Sequence, residues 1–216
     1  NLNTLTTLIS GDINVVGAVI CNQKKLGINW KFFKNSIKKI GFTQIILQII
    51  SRIIHNSLFG AKEKKIFNAL FDRDKINYTI QNWKGPILKT KSFDSIETFN
   101  WIKNIAADVI VVHSPYWISK KIRNLVGGMV IGGHPGITQY YRGSHSPFWA
   151  IHNNDHDNIG YTIFWIDSGV DSGNIIYQNR IKQISKDTYV TMSWKGMLKI
   201  AENIQNLLIN CKDISE

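Results

Sequence analysis

Two short, almost wholly apolar runs, Asp108-Val109-Ile110-Val111-Val112 and Met129-Val130-Ile131, stand either side of a basic helical stretch around Lys120 to Leu125. That arrangement leaves little choice of architecture. Short apolar runs without alternation suit strands buried on both faces, as in a parallel sheet. Parallel neighbours need a crossover between them, not a tight turn. Ahead of the first run, Asp94-Ser95-Ile96-Glu97 resembles a capping box, and Ile96, Phe99, Ile102 and Ala106 continue one apolar face, predicting a helix to about Ala107. Strand, helix, strand, helix, strand reads as an α/β fold with a Rossmann-like, mostly parallel sheet flanked by helices.

The remaining elements extend this pattern. Leu5 to Ile9 reads as the tail of a short helix, and Asn14 to Ile20 as a buried strand. From Trp30 to Phe59 the apolar residues keep helical spacing: Phe32, Phe33, Ile37 and Ile40, then Leu47, Ile50, Ile53, Ile54 and Leu58. Two helices broken near Gly41 are expected, with that apolar stripe in the core. Pro115 ends the strand before it, because proline cannot extend a central ladder. Tyr161 to Trp165 and Ile175 to Arg180 are further strands, Ser144 or Ser146 opens a helix, and Tyr189 to Leu208 is a C-terminal helix. With 216 residues, 44% apolar, and neither a linker nor a repeat, one catalytic domain over 1–216 is expected.

Composition narrows the function. Cys21 and Cys211 are far apart and lack paired spacing, which argues against a disulfide framework or a zinc site and fits a reducing compartment. The most apolar stretch, Ile45 to Leu58, is interrupted by Gln48, Ser51, Arg52 and His55, so no membrane span is expected, and no signal peptide is recognised. A formal net charge of +11 suggests phosphate. The positives concentrate between Lys24 and Lys75, however, with Lys31, Lys34, Lys38 and Lys39 clustered, and the region carrying the candidate site is nearly neutral. A solvated basic face explains that better than a nucleic-acid module, while a nucleotide or diphosphate substrate stays open.

His134 follows the second apolar run directly, at the carboxyl end of a parallel strand, where open α/β sheets place their binding crevices. The ordered set that follows is Gly132-Gly133-His134-Pro135-Gly136, Tyr141-Arg142-Gly143, Phe148-Trp149-Ala150-Ile151, Gly160-Tyr161-Thr162 and Val170-Asp171-Ser172-Gly173. It resembles the formyltransferases that use 10-formyltetrahydrofolate, whose pattern is Asn-x-His, Arg-Gly, an aromatic-containing helix, Gly-x-Thr and Asp-x-Gly in that order. The likeness is specific from His134 to Gln178 and extends weakly back to about Lys91.

That resemblance implies a formyltransferase fold and a cytoplasmic one-carbon transferase with no metal, in which His134 and Asp171 are catalytic. His134 donates to an oxyanion or relays a proton, and Asp171 holds its tautomer and raises its pKa. It places the pterin slot between Tyr116-Trp117-Ile118 and Ile166-Asp167-Ser168-Gly169-Val170, and puts Gly136, Tyr141 and Arg142 beside the acceptor substrate. The run His134-Pro135-Gly136-Ile137-Thr138 with Tyr140-Tyr141-Arg142-Gly143 looks most like the nucleotide-sugar N-formyltransferases of O-antigen and other surface-glycan biosynthesis. A nucleotide-linked amino sugar, of the 4-amino-4,6-dideoxy kind, is therefore the expected partner. The glycinamide ribonucleotide enzymes come second. Whether subunits pair as a homodimer is left open.

Two departures bear on these expectations. Gly132 stands where the pattern has asparagine, an amide suited to the formyl oxygen, so a catalytically impaired folate- or nucleotide-binding homologue is a third reading. The residues Asn1-Leu2-Asn3-Thr4 enter directly at the first helix, so the sheet's first strand is expected to be missing.

Overall fold

The computed structural model describes residues 2–11, 13–21 and 41–210. In chain order the elements are α1 (Leu2–Ile9), β1 (Ala18–Cys21), α2 (Phe42–Leu70), α3 (Arg73–Asn82), β2 (Ile87–Thr90), α4 (Ile96–Ile105), β3 (Ile110–Val112), α5 (Lys120–Arg123), β4 (Val130–His134), α6 (Ser146–His152), β5 (Gly160–Trp165), β6 (Ile175–Arg180) and α7 (Tyr189–Asn210). The expected helix over Phe32 to Ile40 and the cluster of Lys31, Lys34, Lys38 and Lys39 lie outside the described residues.

The strands form two sheets. β1 pairs with β2 in parallel, and β3-β4-β5-β6 form the second sheet, parallel in β3/β4 and antiparallel in β4/β5 and β5/β6. The α/β architecture with flanking helices is thus present, and the last two strands add antiparallel pairs to it. No ladder joins β1 to β3 among the described residues. Both instead line a cavity of about 710 Å3, together with α1 residues Leu5 and Leu8 and α4 residues Trp101 and Ile105.

The core explains why β4 ends where it does. Leu8, Ile131, Tyr161, Ile163, Ile200 and Ile204 pack as one buried cluster, joining α1, β4, β5 and α7. α7 turns a stripe of Met192, Gly196, Ile200 and Ile204 inward, one residue every helical turn. Close approach depends on two missing side chains. A Cβ on Gly133 would lie 2.2 Å from Ile200 Cγ2, and one on Gly196 would lie 2.9 Å from Pro135 Cβ. The helix therefore grips the strand directly either side of His134.

Several elements differ from the sequence reading. α2 starts directly after Gly41 (φ 83°), where a helical break was expected, and runs to Leu70, past the expected end near Phe59. Its stripe of Leu47, Ile50, Ile53, Ile54 and Leu58 is exposed and not core, because this helix meets α7 through its second half, where Glu63 accepts from the Thr188 hydroxyl at 2.5 Å and Phe67 meets the Trp194 ring edge-on. The cap of α4 is Ser95, accepting from Thr98 N at 3.1 Å, one residue later than a box built on Asp94 and Glu97 requires. Helix α3 and strand β2 were not anticipated.

At the end of β3, His113 accepts or donates at Nδ1 to the Thr4 hydroxyl of α1. Burial pushes its pKa from 6.5 down to about 4. A folded-state pKa below the unfolded value means the unfolded chain binds more protons in between. The stability that neutral His113 contributes is present above pH 6.5 and is lost as pH falls toward 4. Urea midpoints measured from pH 7.5 to 4 should fall through this window, and His113→Gln should flatten the decline.

Candidate active site

The site is built where three turns converge on the end of β4. His134 is paired in register with Thr162 of β5 and is only 8% exposed. Its Nδ1 lies 3.2 Å from Asp171 Oδ2, and its Nε2 lies 2.7 Å from Ser146 Oγ at the start of α6. Asp171 sits at φ 49°, a left-handed backbone that aspartate tolerates better than most residues. That conformation aims its carboxylate back at the loop, where the same Oδ2 accepts from Gly143 N at 2.9 Å. Gly173 allows the turn, since a Cβ there would lie 1.6 Å from the Trp165 carbonyl oxygen. Two residues separated in the chain by α6, β5 and their connecting loops are thereby held as a pair.

Electrostatics set the state of the imidazole. Burial lowers the pKa of His134 below its ordinary value, and this outweighs the upward pull of the Asp171 carboxylate and of the Tyr141 carbonyl. The carboxylate raises the pKa as expected, but the net direction is down. The imidazole of His134 is therefore held in its neutral form at physiological pH, with Asp171 favouring the tautomer that carries the proton on Nδ1.

The sequence model of the formyl transferase family matches residues 4–204. The chain belongs to this family. It is similar to methionyl-tRNA formyltransferase from Kosmotoga olearia, 31% identical over 111 residues that cover 51% of this chain and 35% of that protein. It spans about a third to a half of the length of the curated relatives it matches. In fold it is similar to phosphoribosylglycinamide formyltransferase from Bacillus halodurans (TM-score 0.53, 21% identity, 65% of this chain and 78% of that one). The same enzyme from Streptococcus pneumoniae gives a TM-score of 0.52 at 16% identity, over 68% and 89% of the two chains.

The other sequence-predicted residues fall into two groups. Tyr116 and Trp117 are exposed, so Trp117 is no core residue, whereas Ile118 is buried. Arg123, which the sequence reading did not single out, links this loop to the other half of the expected slot. It donates from Nη1 to the Ile118 carbonyl at 2.7 Å, and its charge acts on Asp167. The Asp167 carboxyl is held below its ordinary pKa chiefly by the Gly169 N–H, which it accepts at 2.8 Å, and also by the Ser172 hydroxyl and Arg123. Asp167 is thus the organiser of the 166–170 turn, with Ser168, Gly169 and Val170 exposed on it.

Of the residues expected beside the acceptor substrate, the Tyr141 hydroxyl donates to Asp155 Oδ2 at 2.8 Å and Arg142 Nε donates to the Thr138 carbonyl at 2.7 Å. Both shape the loop that carries them. Gly136 lies against the site itself: a Cβ there would be 2.5 Å from Ser146 Cβ and 2.7 Å from His134 Nε2. Among the described residues no group of three or more His, Cys, Asp or Glu could hold a metal ion, and no helix is long and apolar enough to cross a membrane.

Gly132 does not leave open space. Ile166 continues from β5, bonds from its N to the Val130 carbonyl at 2.8 Å, and lays its side chain over Gly132, so that a Cβ there would lie 2.8 Å from both Cδ1 and Cγ1. Restoring an amide at this position therefore requires Ile166 to move. Gly132→Asn alone should destabilise the protein by about 1–3 kcal/mol, as overpacking does. Gly132→Asn combined with Ile166→Ala should regain part of that loss. Thermal melts of both variants check this, and a single variant as stable as the parent would contradict the packing described.

Proposed function

We propose that this chain transfers a formyl group from 10-formyltetrahydrofolate to the amine of a nucleotide-linked amino sugar. The observation that carries the transfer chemistry is the buried, neutral His134 held by Asp171 at the carboxyl end of β4. Attack of an amine on a formyl carbon creates an ammonium that must lose a proton and an oxyanion that must be stabilised. His134 takes the proton and Asp171 stabilises the imidazolium; as the tetrahedral adduct collapses, the bond from the formyl carbon to the folate nitrogen breaks and that nitrogen takes the proton back. The donor, when bound, supplies the formyl carbon. Exposed aromatic faces at Tyr116 and Trp117, the buried Ile118 and the backbone of 166–170 fit a flat, hydrogen-bonding pterin.

The acceptor class is supported by what surrounds the loop of Gly136, Tyr141 and Arg142. Tyr140, Phe148 and Trp149 are exposed, and Phe148 stands edge-on to Trp149 with ring centroids 5.2 Å apart. Such a surface suits the apolar face of a dideoxy sugar or a nucleobase. A second reading, a folate- and nucleotide-binding homologue with impaired catalysis, is favoured by Ile166 lying where the family's amide would project from residue 132.

Incubating the protein with 10-formyltetrahydrofolate and a panel of nucleotide-linked amino sugars should yield a product one formyl group heavier by mass spectrometry. Conversion of glycinamide ribonucleotide alone would overturn the acceptor, and stabilisation by folate without any turnover would favour the second reading. In the active case, His134→Asn and Asp171→Asn should each lower kcat by roughly 100-fold to 10,000-fold while folate binding persists. Asparagine tolerates the left-handed backbone of position 171, so a loss there reports on charge and not on folding. Wild-type rates in either variant would remove it from the mechanism.

A further inference from the structure

Ser146 is the third member of the buried cluster and has no role in the chemistry derived so far. Its hydroxyl is 2.7 Å from His134 Nε2 and 3.2 Å from each of the Tyr141 and Gly143 carbonyl oxygens, and the residue is 3% exposed. One hydroxyl proton therefore has three acceptors within reach. At the first position of α6 a serine would ordinarily be read as part of the helix cap, yet no side-chain cap bond is made there. Gly136 packs closely against Ser146 and His134, since a Cβ there would lie 2.8 Å from Ser146 Oγ and 2.7 Å from His134 Nε2.

We propose that Ser146 is a positioning residue whose hydroxyl holds Nε2 of His134 in both of its protonation states. With Nδ1–H facing Asp171, the neutral ring presents a lone pair at Nε2, and Ser146 donates to it. When the ring gains a proton at Nε2, the Ser146 proton rotates onto the Tyr141 or Gly143 carbonyl and the hydroxyl oxygen accepts from Nε2–H. The proton at Nε2 is the one the attacking amine loses, the Ser146 O–H bond itself stays intact, and the ring keeps its plane and a partner at each nitrogen before and after. This role rests on the reading of His134 as the proton acceptor in formyl transfer.

The order hydroxyl, imidazole, carboxylate is also that of a nucleophilic triad. Depth argues against that use here. A serine this buried, with two backbone carbonyls beside its oxygen, has acceptors around it where an attacked carbonyl would need donors. The charged group acting on the ring is Asp171, and the Tyr141 carbonyl and Ser146 are its neutral neighbours.

A bond to the charged form is stronger than one to the neutral form, so removing the hydroxyl disfavours the imidazolium. Nitrogen-15 spectra of histidine-labelled protein, titrated without substrate, test this directly. In the wild type, Nε2 of neutral His134 should resonate as a hydrogen-bonded imine nitrogen. Ser146→Ala should shift Nε2 toward the unbonded position and raise the acid dissociation constant of His134 by about fivefold. The acid limb of kcat/KM should move to lower pH by the same factor, and Ser146→Thr, which retains the hydroxyl, should stay near the wild type.

An unchanged His134 titration in Ser146→Ala would overturn the proposal. So would labelling of Ser146 by a serine-directed fluorophosphonate, which would reveal a nucleophile. Should the alanine variant not fold, the wild-type spectrum decides, because an unbonded Nε2, or one carrying the proton in the neutral ring, excludes the arrangement. The titration requires no turnover, so a failure of the assigned acceptor and a failure of this role are separately visible.

Discussion

Everything at this site depends on how closely α7 lies against the end of β4. Ile200 fills the position a side chain on Gly133 would take, and Pro135 fills the corresponding position beside Gly196. A helix and a strand held at that distance cannot slide without losing buried contacts on both sides, and His134 is the residue between the two fastenings. The fixed position of His134 thus depends on two glycines, Gly133 beside it in the chain and Gly196 on α7. Burial of the ring is the main cause of its lowered pKa.

Burial and the Asp171 carboxylate pull His134 in opposite directions, and the balance is informative. A carboxylate with a freely solvated histidine would keep the ring charged and useless as a base. Burial without the carboxylate would make the imidazolium too costly to form during transfer. The observed arrangement leaves the free ring neutral while keeping a counter-charge 3.2 Å away for the moment a proton arrives.

The parts of the fold that the sequence disclosed are those with strong local signals. β6 spans the expected Ile175 to Arg180, opened by Ile175-Ile176-Tyr177, and α7 shows its four-residue stripe from the first turn. α3 escaped notice because it buries none of its residues and therefore has no periodicity to show; its only local mark is Asp72, whose side chain accepts from Lys75 N. β2 is four residues long behind Trp83-Lys84-Gly85-Pro86, too short for a pattern to emerge. In α2 the apolar pattern was real but misled, since periodicity reports which face is apolar and not whether anything covers it. At the site, His134 and Asp171 were legible as an ordered motif. Ser146 was not, because a serine ahead of Pro147 reads as a helix start, and the crowding of Gly132 by Ile166 exists only once β4 and β5 are laid side by side.

The second sheet gives the candidate site a single frame. β4 takes its ladder bonds from β3 on one side and from β5 on the other, and β5 is paired in turn with β6. His134 ends β4, Asp171 and the 166–170 turn lie in the connection from β5 to β6, and Tyr116 to Ile118 follow β3. All these segments therefore hang from neighbouring strands of one hydrogen-bonded sheet, so their mutual distances are fixed within that sheet and owe nothing to the pairing of β1 with β2.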